Sequence, residues 1–272
     1  MVLRKIAIIG EPKGLYTKIL CSYLVKNNFI EFDIIAKKNR KEKKTIFYEF
    51  FKFINKIKNI YSEGKHRAIK WYHPFNLILI LERLEARNNQ IIKNIKNKYQ
   101  ILKLKETSKI HLVPKINSLE TKKILINEKY DLVVLTDAPI IKSEILDNAR
   151  LCINAHPAKL PECRGGGAIE CTLLKKLPIS VTIYKVTEGI DEGDIISISE
   201  LKLKKSDNIS TIKYRITELS AIKLSEFISN YSDDYNFQII KNSGKLNFWK
   251  DWTAEKQLMA RFNLYIKKKK LK

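Results

Sequence analysis

Residues 4–36 read RKIAIIGEPKGLYTKILCSYLVKNNFIEFDIIA, and this stretch decides the fold class. The apolar run Arg4–Ile9 predicts a short buried strand. The glycines and proline of Gly10–Gly14 predict a turn, after which Leu15–Val25 has the apolar spacing of a helix. Glu31–Ala36 predicts a second strand. A strand, a turn, a helix and a strand in this order are typical of a parallel, doubly wound sheet.

The same alternation returns in the second half of the chain. Its predicted elements are strands at Ile110–Val113, Tyr130–Thr136, Leu151–Asn154, Ser180–Val186 and Asp194–Glu200, and helices at Ser118–Asn127, Ser143–Asn148, Ala168–Leu174 and Ile209–Ser229. The predicted fold class is therefore α/β: a Rossmann-like, mostly parallel twisted sheet with helices on both faces. The first turn contains neither the GxGxxG pattern of dinucleotide-binding proteins nor the lysine-serine pair of a P-loop.

Residues 37–107 differ in character from this alternating core. They are rich in lysine, and their helical periodicity at Ile46–Ile60 and Phe75–Ile95 predicts a helical insertion. Trp71, Tyr72 and His73 form an aromatic cluster that either lines a substrate site or anchors helix packing. We predict a catalytic domain at 1–229, with this insertion inside it, and a short basic and aromatic appendage at 230–272 that holds a helix at Thr253–Phe262.

The formal net charge of +23 raises the question of a polyanionic partner. Most of the excess is lysine scattered along the chain, with one run at Lys267–Lys270, and this distribution favours a solvated surface. A nucleic-acid partner stays an alternative, and a phosphorylated or acidic small molecule would also be attracted by the positive charge. The sequence leaves open whether the chain forms a homodimer.

Several site classes are not expected from this sequence. No apolar run approaches the roughly 20 residues of a membrane-spanning helix, and the first residues do not resemble a signal peptide, so we expect a cytoplasmic protein without a membrane partner. The four cysteines, Cys21, Cys152, Cys163 and Cys171, have neither paired zinc-ligand spacing nor a disulfide framework. We expect thiols and no metal site.

The richest concentration of polar chemistry follows a predicted buried strand, in the segment LCINAHPAKLPECRGGGA at 151–168. Asn154 and His156 are two residues apart, so their side chains point to the same side of the strand. Pro157 ends the strand, and open α/β sheets bind ligands beyond the carboxyl ends of their strands. The following Arg164-Gly-Gly-Gly167 forms a loop whose backbone can approach a ligand closely.

A second polar loop, Glu188-Gly-Ile-Asp-Glu-Gly-Asp194, joins two predicted strands and offers the carboxylate of Asp191. Asparagine, histidine and aspartate suit an acyl-type transfer without a covalent enzyme intermediate. Asn154 and a protonated His156 can stabilise the oxyanion that develops when an amine attacks a carbonyl group. Asp191 can stabilise the protonated histidine or, through water, help to remove the proton of the amine.

Together these motifs resemble those of the folate-dependent formyltransferases, which act on glycinamide ribonucleotide, methionyl-tRNA or sugar nucleotides. The family motif Asn-x-His-Pro is matched by Asn154–Pro157, and its Leu-Pro…Arg-Gly by Leu160-Pro161 and Arg164-Gly165. Its Asp-x-Gly loop, which follows a Val-Thr strand, is matched by VTIYKVTEGIDEGDI at 181–195. The resemblance is specific over residues 131–200 and weak in the insertion and the tail.

The resemblance implies a 10-formyltetrahydrofolate co-substrate and a catalytic set of Asn154, His156 and Asp191. By analogy, the pterin ring would lie between the segment Ala138, Pro139 and Ile140 and the loop Thr187, Glu188, Gly189 and Ile190. The amine acceptor would approach from the side of the first turn, and the predicted acceptor-binding residues are Gly10, Lys13, Arg164 and Gly165.

Two departures from the family pattern bear on the acceptor, and together they favour an amino sugar linked to a nucleotide, or another small amine. Glu11 in the first turn would repel the phosphate of a ribonucleotide acceptor. The residues after 229 are too few for the C-terminal β-domain with which the tRNA enzymes contact tRNA, although a basic tail can still touch a polyanion. A tRNA- or other RNA-directed formyltransferase and a non-catalytic folate- or nucleic-acid-binding relative stay as alternatives.

Overall fold

The computed structural model describes residues 4–28, 30–38, 82, 84–87, 89–231, 244–247 and 252–271. The chain begins with strand β1 (Arg4–Gly10), helix α1 (Leu15–Leu24) and strand β2 (Ile30–Lys37), which confirms the predicted β-α-β start. The side chains of Ile6, Ala7, Ile8 and Ile9 are all buried, as expected for a strand that is covered on both faces.

The remaining elements follow in nearly the predicted order. They are α2 (Gln90–Lys98), β3 (Ile110–Val113), α3 (Leu119–Glu128), β4 (Leu132–Thr136), α4 (Ser143–Leu146), β5 (Cys152–His156), β6 (Arg164–Gly165), α5 (Ala168–Leu174), β7 (Ser180–Lys185), β8 (Ile195–Glu200), α6 (Ile209–Asn230), β9 (Leu246–Asn247) and α7 (Ala254–Lys269).

Within the described part of the chain, the main sheet has the strand order β3-β2-β1-β4-β5-β7-β8. The five strands from β3 to β5 are parallel, whereas β5–β7 and β7–β8 pair antiparallel. The predicted α/β class with a mostly parallel sheet is confirmed. From β1 the chain continues to β2 on one side and returns to β4 on the other, so the carboxyl ends of β1 and β4 form a topological switch point.

The interface between β1 and β4 is unusually close at its carboxyl end. A Cβ atom at Gly10 would lie 2.1 Å from Oγ1 and 2.3 Å from the carbonyl oxygen of Thr136, so only glycine allows the two backbones to approach this far. The Thr136 hydroxyl also forms a 2.8 Å hydrogen bond with that of Thr17 in α1. These contacts fix the relative position of the two loops that leave the sheet here.

Apolar side chains cover both faces of the sheet. On one face, Ile6, Ile8 and Val134 pack with residues of α1 and α6, among them Leu20 and Leu224. On the other face, a second cluster joins the strands to α3 and α4; it contains Ala7, Ile9, Ile35, Val133, Leu135, Leu125 and Ile145. Burying an isoleucine or leucine side chain completely contributes about 1.5–3 kcal/mol to the free energy of folding. The prediction of helices on both faces of the sheet is confirmed.

The insertion predicted at 37–107 is only partly within the described residues. The predicted helix Ile46–Ile60 and the cluster of Trp71, Tyr72 and His73 lie outside them. The predicted helical stretch Phe75–Ile95 is interrupted at Asn89, whose side-chain oxygen accepts hydrogen bonds from the backbone N–H groups of the first turn of α2. Asparagine is a strong helix N-cap, so a new helix starts there.

The C-terminal segment is integrated into the fold more closely than the term appendage implies. Helix α7 extends to Lys269, beyond the predicted end at Phe262. The side chains of Asn263 and Lys267 donate to the carbonyl oxygens of Leu173 and Leu177, near the end of α5. Strand β9 pairs in parallel with β6, the short strand of the Arg164–Gly167 loop. None of the helices in the described residues is both long enough and apolar enough to cross a membrane.

Candidate active site

Strand β5 holds two of the three predicted catalytic residues, Asn154 and His156, at its carboxyl end. Asn154 is half-buried and His156 is 5% exposed, and the strand ends at His156, directly before Pro157. The neighbouring strand β7 runs antiparallel and places Tyr184 opposite Asn154 and Thr182 opposite His156. The polar residues of β5 therefore face polar residues of β7.

The imidazole ring of His156 is held at both nitrogens. Nε2 lies 2.7 Å from the carbonyl oxygen of Cys163, and Nδ1 lies 3.3 Å from Oδ2 of Asp191. Because a carbonyl oxygen can only accept, Nε2 carries a hydrogen, and in the neutral ring Nδ1 is the unprotonated nitrogen. Nδ1 can then accept a proton and, once protonated, donate a hydrogen bond to the Asp191 carboxylate.

The carboxylate of Asp191 is fixed by two further donors. The backbone N–H of Gly165 donates to Oδ2 at 3.1 Å, and the Tyr184 hydroxyl donates to Oδ1 at 2.7 Å. Asp191 itself has a φ of 47°, in the left-handed region that non-glycine residues seldom occupy. The structure thus brings Asp191 to His156, as the sequence motifs predicted, and holds its carboxylate in one orientation.

Tyr184 is a member of this site that sequence reasoning missed. It is 3% exposed, and its hydroxyl accepts a hydrogen bond from Nδ2 of Asn154 at 3.2 Å. Burial, followed by the charge of Asp191, raises the pKa of Tyr184 well above its ordinary value. Only the pairing register of β5 and β7 brings Tyr184 here, and the amino-acid pattern of β7 alone does not contain that register.

The Asn154 amide is also oriented from its other side. Its Oδ1 accepts a 2.8 Å hydrogen bond from the backbone N–H of Ala155, so Nδ2 is directed at Tyr184. An amide nitrogen has two hydrogens, and the bond to Tyr184 uses one of them. The second can serve a ligand in the adjoining cavity.

A cavity of about 380 Å³ opens beside Asn154, Tyr184 and Asp191. Its walls include most of the residues predicted to contact a pterin ring, namely Ala138, Pro139, Ile140, Thr187, Gly189 and Ile190. Glu188 is placed differently, since Oε1 of its side chain accepts a 3.5 Å hydrogen bond from the Ser143 hydroxyl. The buried Oγ1 of Thr187 has no hydrogen-bond partner among the described residues. The cavity wall thus combines apolar side chains with the polar residues Asn154, Tyr184 and Asp191.

A second cavity, of about 580 Å³, lies on the other side of the segment 137–139. It is lined by Gly10 at the end of β1, by the following Glu11, and by Lys37, Lys115 and Asn117. It shares Asp137, Ala138 and Pro139 with the first cavity. Burial and the nearby charge of Glu11 raise the pKa of the Asp137 carboxyl. Carboxylate and ammonium groups thus line the same cavity.

The four predicted acceptor-binding residues separate into two groups. Gly10 lines the second cavity, and Lys13 is exposed in the adjacent turn, where its backbone N–H lies 3.3 Å from Oε1 of Glu11. Arg164 donates to the carbonyl oxygens of Ile190 and Gly244 at 2.5 and 3.1 Å and forms a 2.6 Å ion pair with Glu192. Arg164 and Gly165 therefore hold the loop that carries Asp191.

The expectation of four free thiols is wrong for one pair. Cys163 and Cys171 form a disulfide, with Cα atoms 5.6 Å apart, and both pack beside Trp252. The bond is possible because the glycine loop reverses the chain and sets the first turn of α5 against Cys163, which spacing alone does not reveal. Cys21 and Cys152 are free and buried. Among the described residues, no group of three or more His, Cys, Asp or Glu side chains could hold a metal ion.

The fold agrees with comparisons to known proteins. The family model described as formyl transferase matches residues 83–228, which is more than half of the chain. Methionyl-tRNA formyltransferase of Bacillus subtilis is 34% identical over 113 residues, covering 41% of this chain and 36% of that protein. The aligned region thus spans about a third of the length of this curated relative.

Two solved structures show the same fold at low sequence identity. A 4-N formyltransferase from Francisella tularensis has a TM-score of 0.55 at 17% identity, covering 97% of this chain and 88% of the other. An N-formyltransferase from Helicobacter canadensis, in complex with folinic acid and dTDP-3-aminofucose, has a TM-score of 0.53 at 12% identity, covering 98% and 81%. At these identities the likeness establishes a shared fold.

Proposed function

Because this chain belongs to the formyl transferase family, we propose that it transfers a formyl group from 10-formyltetrahydrofolate to the amine of a small acceptor. One observation carries the proposal: Asn154 and Asp191 line the same cavity as the two segments predicted to hold the pterin ring. A hydrogen-bond donor and a carboxylate beside a ligand-sized cavity are what an amine-to-carbonyl transfer requires.

The residues of the first cavity fit a folate co-substrate. Ala138, Pro139 and Ile140 offer apolar surface to a flat ring, and the Asn154 amide offers a hydrogen bond from another part of the lining. The co-substrate would supply the formyl group: the formyl carbon would gain a bond to the amine nitrogen and lose its bond to N10, and the proton lost by the amine would go to N10 of the departing tetrahydrofolate. In this proposal the chain binds the co-substrate, orients it and excludes water from the reacting carbonyl.

Asn154 would stabilise the charge that develops on the formyl oxygen. Its amide is held by Ala155 and Tyr184, and one hydrogen of Nδ2 stays available to a ligand. A preoriented donor of this kind is worth more in a water-poor cavity than in solution, because it need not reorganise during the reaction.

Asp191 and His156 would remove the proton of the attacking amine. Asp191 lines the cavity, and the His156 ring lies behind it with Nδ1 3.3 Å from the carboxylate. A proton taken by Asp191, directly or through water, can be shared with Nδ1, while the Cys163 carbonyl keeps the other ring nitrogen protonated. In this arrangement the donor facing the oxyanion is Asn154, and His156 acts through Asp191.

The second cavity supports a nucleotide-linked amino sugar as the acceptor. Asp137 and Glu11 can attract the ammonium form of an amine, and Lys37 and Lys115, which line the same cavity, can attract an anionic group. A nucleoside diphosphate sugar with an amino group carries both features. The Helicobacter canadensis neighbour, which was solved with dTDP-3-aminofucose, adds support for this class.

Sequence similarity favours a second candidate acceptor, methionyl-tRNA, because the Bacillus subtilis relative carries that name. The two acceptors differ in salt dependence. Protein contacts to six or more phosphates lose roughly a thousandfold in affinity between 50 and 200 mM salt, whereas a nucleotide sugar offers only two phosphates. If the acceptor is a nucleotide sugar, as proposed, its KM should rise less than about tenfold between 50 and 200 mM salt.

The test is tetrahydrofolate release from 10-formyltetrahydrofolate, followed by absorbance, with a panel of nucleotide-linked amino sugars, glycinamide ribonucleotide and methionyl-tRNA. The variants are Asp191→Asn and, as a matched control, Asp33→Asn. Asp33 also pairs with a histidine and a tyrosine, but at the His111 side of the sheet.

We expect turnover with an amino-sugar nucleotide, a loss of about 100-fold or more in Asp191→Asn, and retained activity in Asp33→Asn. Turnover with methionyl-tRNA alone would replace the acceptor assignment. Folate binding without turnover of any amine would favour a non-catalytic, folate-binding protein.

A further inference from the structure

One tyrosine hydroxyl connects the two polar groups that line the first cavity. The Tyr184 oxygen lies 3.2 Å from Nδ2 of Asn154 and 2.7 Å from Oδ1 of Asp191. An ionised carboxylate only accepts, so the Tyr184 hydroxyl donates to Asp191 and accepts from Asn154. The direction of both hydrogen bonds is therefore fixed by chemistry.

This direction determines how the two cavity-lining groups are presented. Asn154 must turn its nitrogen toward Tyr184 while its oxygen receives the Ala155 N–H, which excludes the flipped amide. Asp191 has one oxygen bound by Tyr184, and its other oxygen faces both His156 and the Gly165 N–H. A rotation of either group would break a hydrogen bond to Tyr184.

We propose that Tyr184 is the positioning residue of this site, whose hydroxyl sets the orientation of the Asn154 amide and of the Asp191 carboxylate for formyl transfer. The assignment rests on the proposed function and adds a residue to its machinery. Tyr184 is 3% exposed and belongs to β7, so its ring is held by the sheet and does not depend on a mobile loop. A rigid support of this kind is what precise placement of reacting groups requires.

A second tyrosine–aspartate–histidine group in the same protein offers a matched control. The Tyr130 hydroxyl donates to Oδ2 of Asp33 at 2.7 Å, and Nε2 of His111 lies 3.6 Å from that same oxygen. This group connects β2 and β3 near the sheet edge, and its three residues are absent from the linings of both cavities. The two groups share their chemistry and differ in their access to a ligand.

The test compares Tyr184→Phe with Tyr130→Phe in the full chain. Each substitution removes a hydroxyl that donates to a carboxylate and keeps the ring, so losses in stability should be similar. We expect kcat to fall about 10- to 100-fold in Tyr184→Phe, since hydrogen bonds to charged groups are worth this much, and to change less than about twofold in Tyr130→Phe.

Two further readouts separate positioning from general damage. The pH profile of kcat/KM should change in Tyr184→Phe and stay in place in Tyr130→Phe, because only Tyr184 donates to a carboxylate that lines the first cavity. The ¹⁵N side-chain amide signals of Asn154, assigned with an Asn154→Asp variant, should shift in Tyr184→Phe and stay in place in Tyr130→Phe.

Wild-type kcat and an unmoved pH profile in Tyr184→Phe would overturn the positioning role while leaving the proposed function intact. Equal losses in both variants would also overturn it, since the effect would then be structural. If wild type itself transfers no formyl group, the proposed function fails separately, and unchanged Asn154 signals in Tyr184→Phe would then overturn the positioning role.

Discussion

Nδ1 of His156 lies 3.3 Å from Oδ2 of Asp191, although the two residues belong to different segments of the chain. His156 ends strand β5, and Asp191 lies in the loop between β7 and β8 with a left-handed backbone. The contact exists because β7 returns antiparallel beside β5 and the Gly165 N–H holds the carboxylate from a third segment. Three pieces of backbone therefore converge on one carboxylate.

The ionisation of Tyr184 should report the charge on Asp191. Burial and, next, that charge raise the pKa of Tyr184, so Asp191→Asn should lower the pKa while burial keeps it above the ordinary value of about 10. A raised pKa in the folded state also means that this tyrosine reduces stability as the pH rises above about 10. The pH dependence of ¹³Cζ tyrosine signals, with Tyr184→Phe for assignment, measures the shift.

Asp33→Asn is the control for this titration, because it alters the surroundings of Tyr130 and not those of Tyr184. A Tyr184 signal that titrates identically in wild type and Asp191→Asn would show that the two groups do not interact in solution.

The glycine loop before α5 should tolerate little change at Gly167. Gly167 has a φ of 72°, and a Cβ there would lie 2.0 Å from Nε1 of Trp252, which donates a 2.9 Å hydrogen bond to the Gly166 carbonyl. Left-handed backbone strain and overpacking together predict that Gly167→Ala lowers the free energy of unfolding by about 2 kcal/mol or more. Urea unfolding followed by tryptophan fluorescence measures the change.

Gly189→Ala is the comparison for this substitution. The atoms nearest to its added methyl group would be those of the Glu192 carboxylate, on a side chain that is 43% exposed and can move at the expense of its ion pair with Arg164. We expect a loss of less than about 1 kcal/mol there. A similar loss in the two variants would mean that Trp252 does not pack against the loop as described.

The C-terminal segment should support the site through Asn247. The Asn247 side chain donates to the Arg164 carbonyl at 3.0 Å, and its backbone carbonyl accepts from Gly166, so it holds the loop whose Gly165 N–H binds Asp191. Asn247→Ala should reduce kcat roughly fivefold, the equivalent of about 1 kcal/mol for a neutral hydrogen bond. Steady-state kinetics at saturating co-substrate measure it.

Asn263→Ala is the control. It removes a similar 3.0 Å hydrogen bond, from α7 to the Leu173 carbonyl, which does not involve the glycine loop. It should cost comparable stability and leave kcat within about twofold of wild type. A kcat loss in Asn263→Ala equal to that in Asn247→Ala would contradict a specific role for β9.

Much of the sheet could be predicted because its central strands, such as β1 and β4, are buried on both faces. The run 132–135 is apolar, and its strand was predicted from it. The predicted strand Ile110–Val113, which is partly exposed at the sheet edge, has the same bounds in the structure. The Asn154–His156 spacing placed two polar side chains at the end of such a strand, and the loop with Asp191 was predicted from its glycines. These features depend on local sequence, which the amino-acid pattern contains.

The features that escaped prediction depend on tertiary register. Tyr184 reaches Asn154 only through the antiparallel pairing of β7, and Leu246–Asn247 joins the glycine loop as a strand of two residues, too short to show any periodicity. The Cys163–Cys171 disulfide likewise requires the reversal at Gly165–Gly167. Whether 1–229 folds as a separate catalytic domain stays a prediction, although β9 and α7 contact its loop and α5.

The most direct test of the account follows a labelled formyl group. Wild type, His156→Ala and His111→Ala are incubated with 10-formyltetrahydrofolate carrying ¹³C in the formyl group and with an amino-sugar nucleotide, and the product is examined by NMR. We predict a ¹³C formamide signal with wild type and with His111→Ala, and a rate lower by about 100-fold or more with His156→Ala. Equal rates in wild type and His156→Ala would contradict the assignment of the reaction to the Asn154, His156 and Asp191 site.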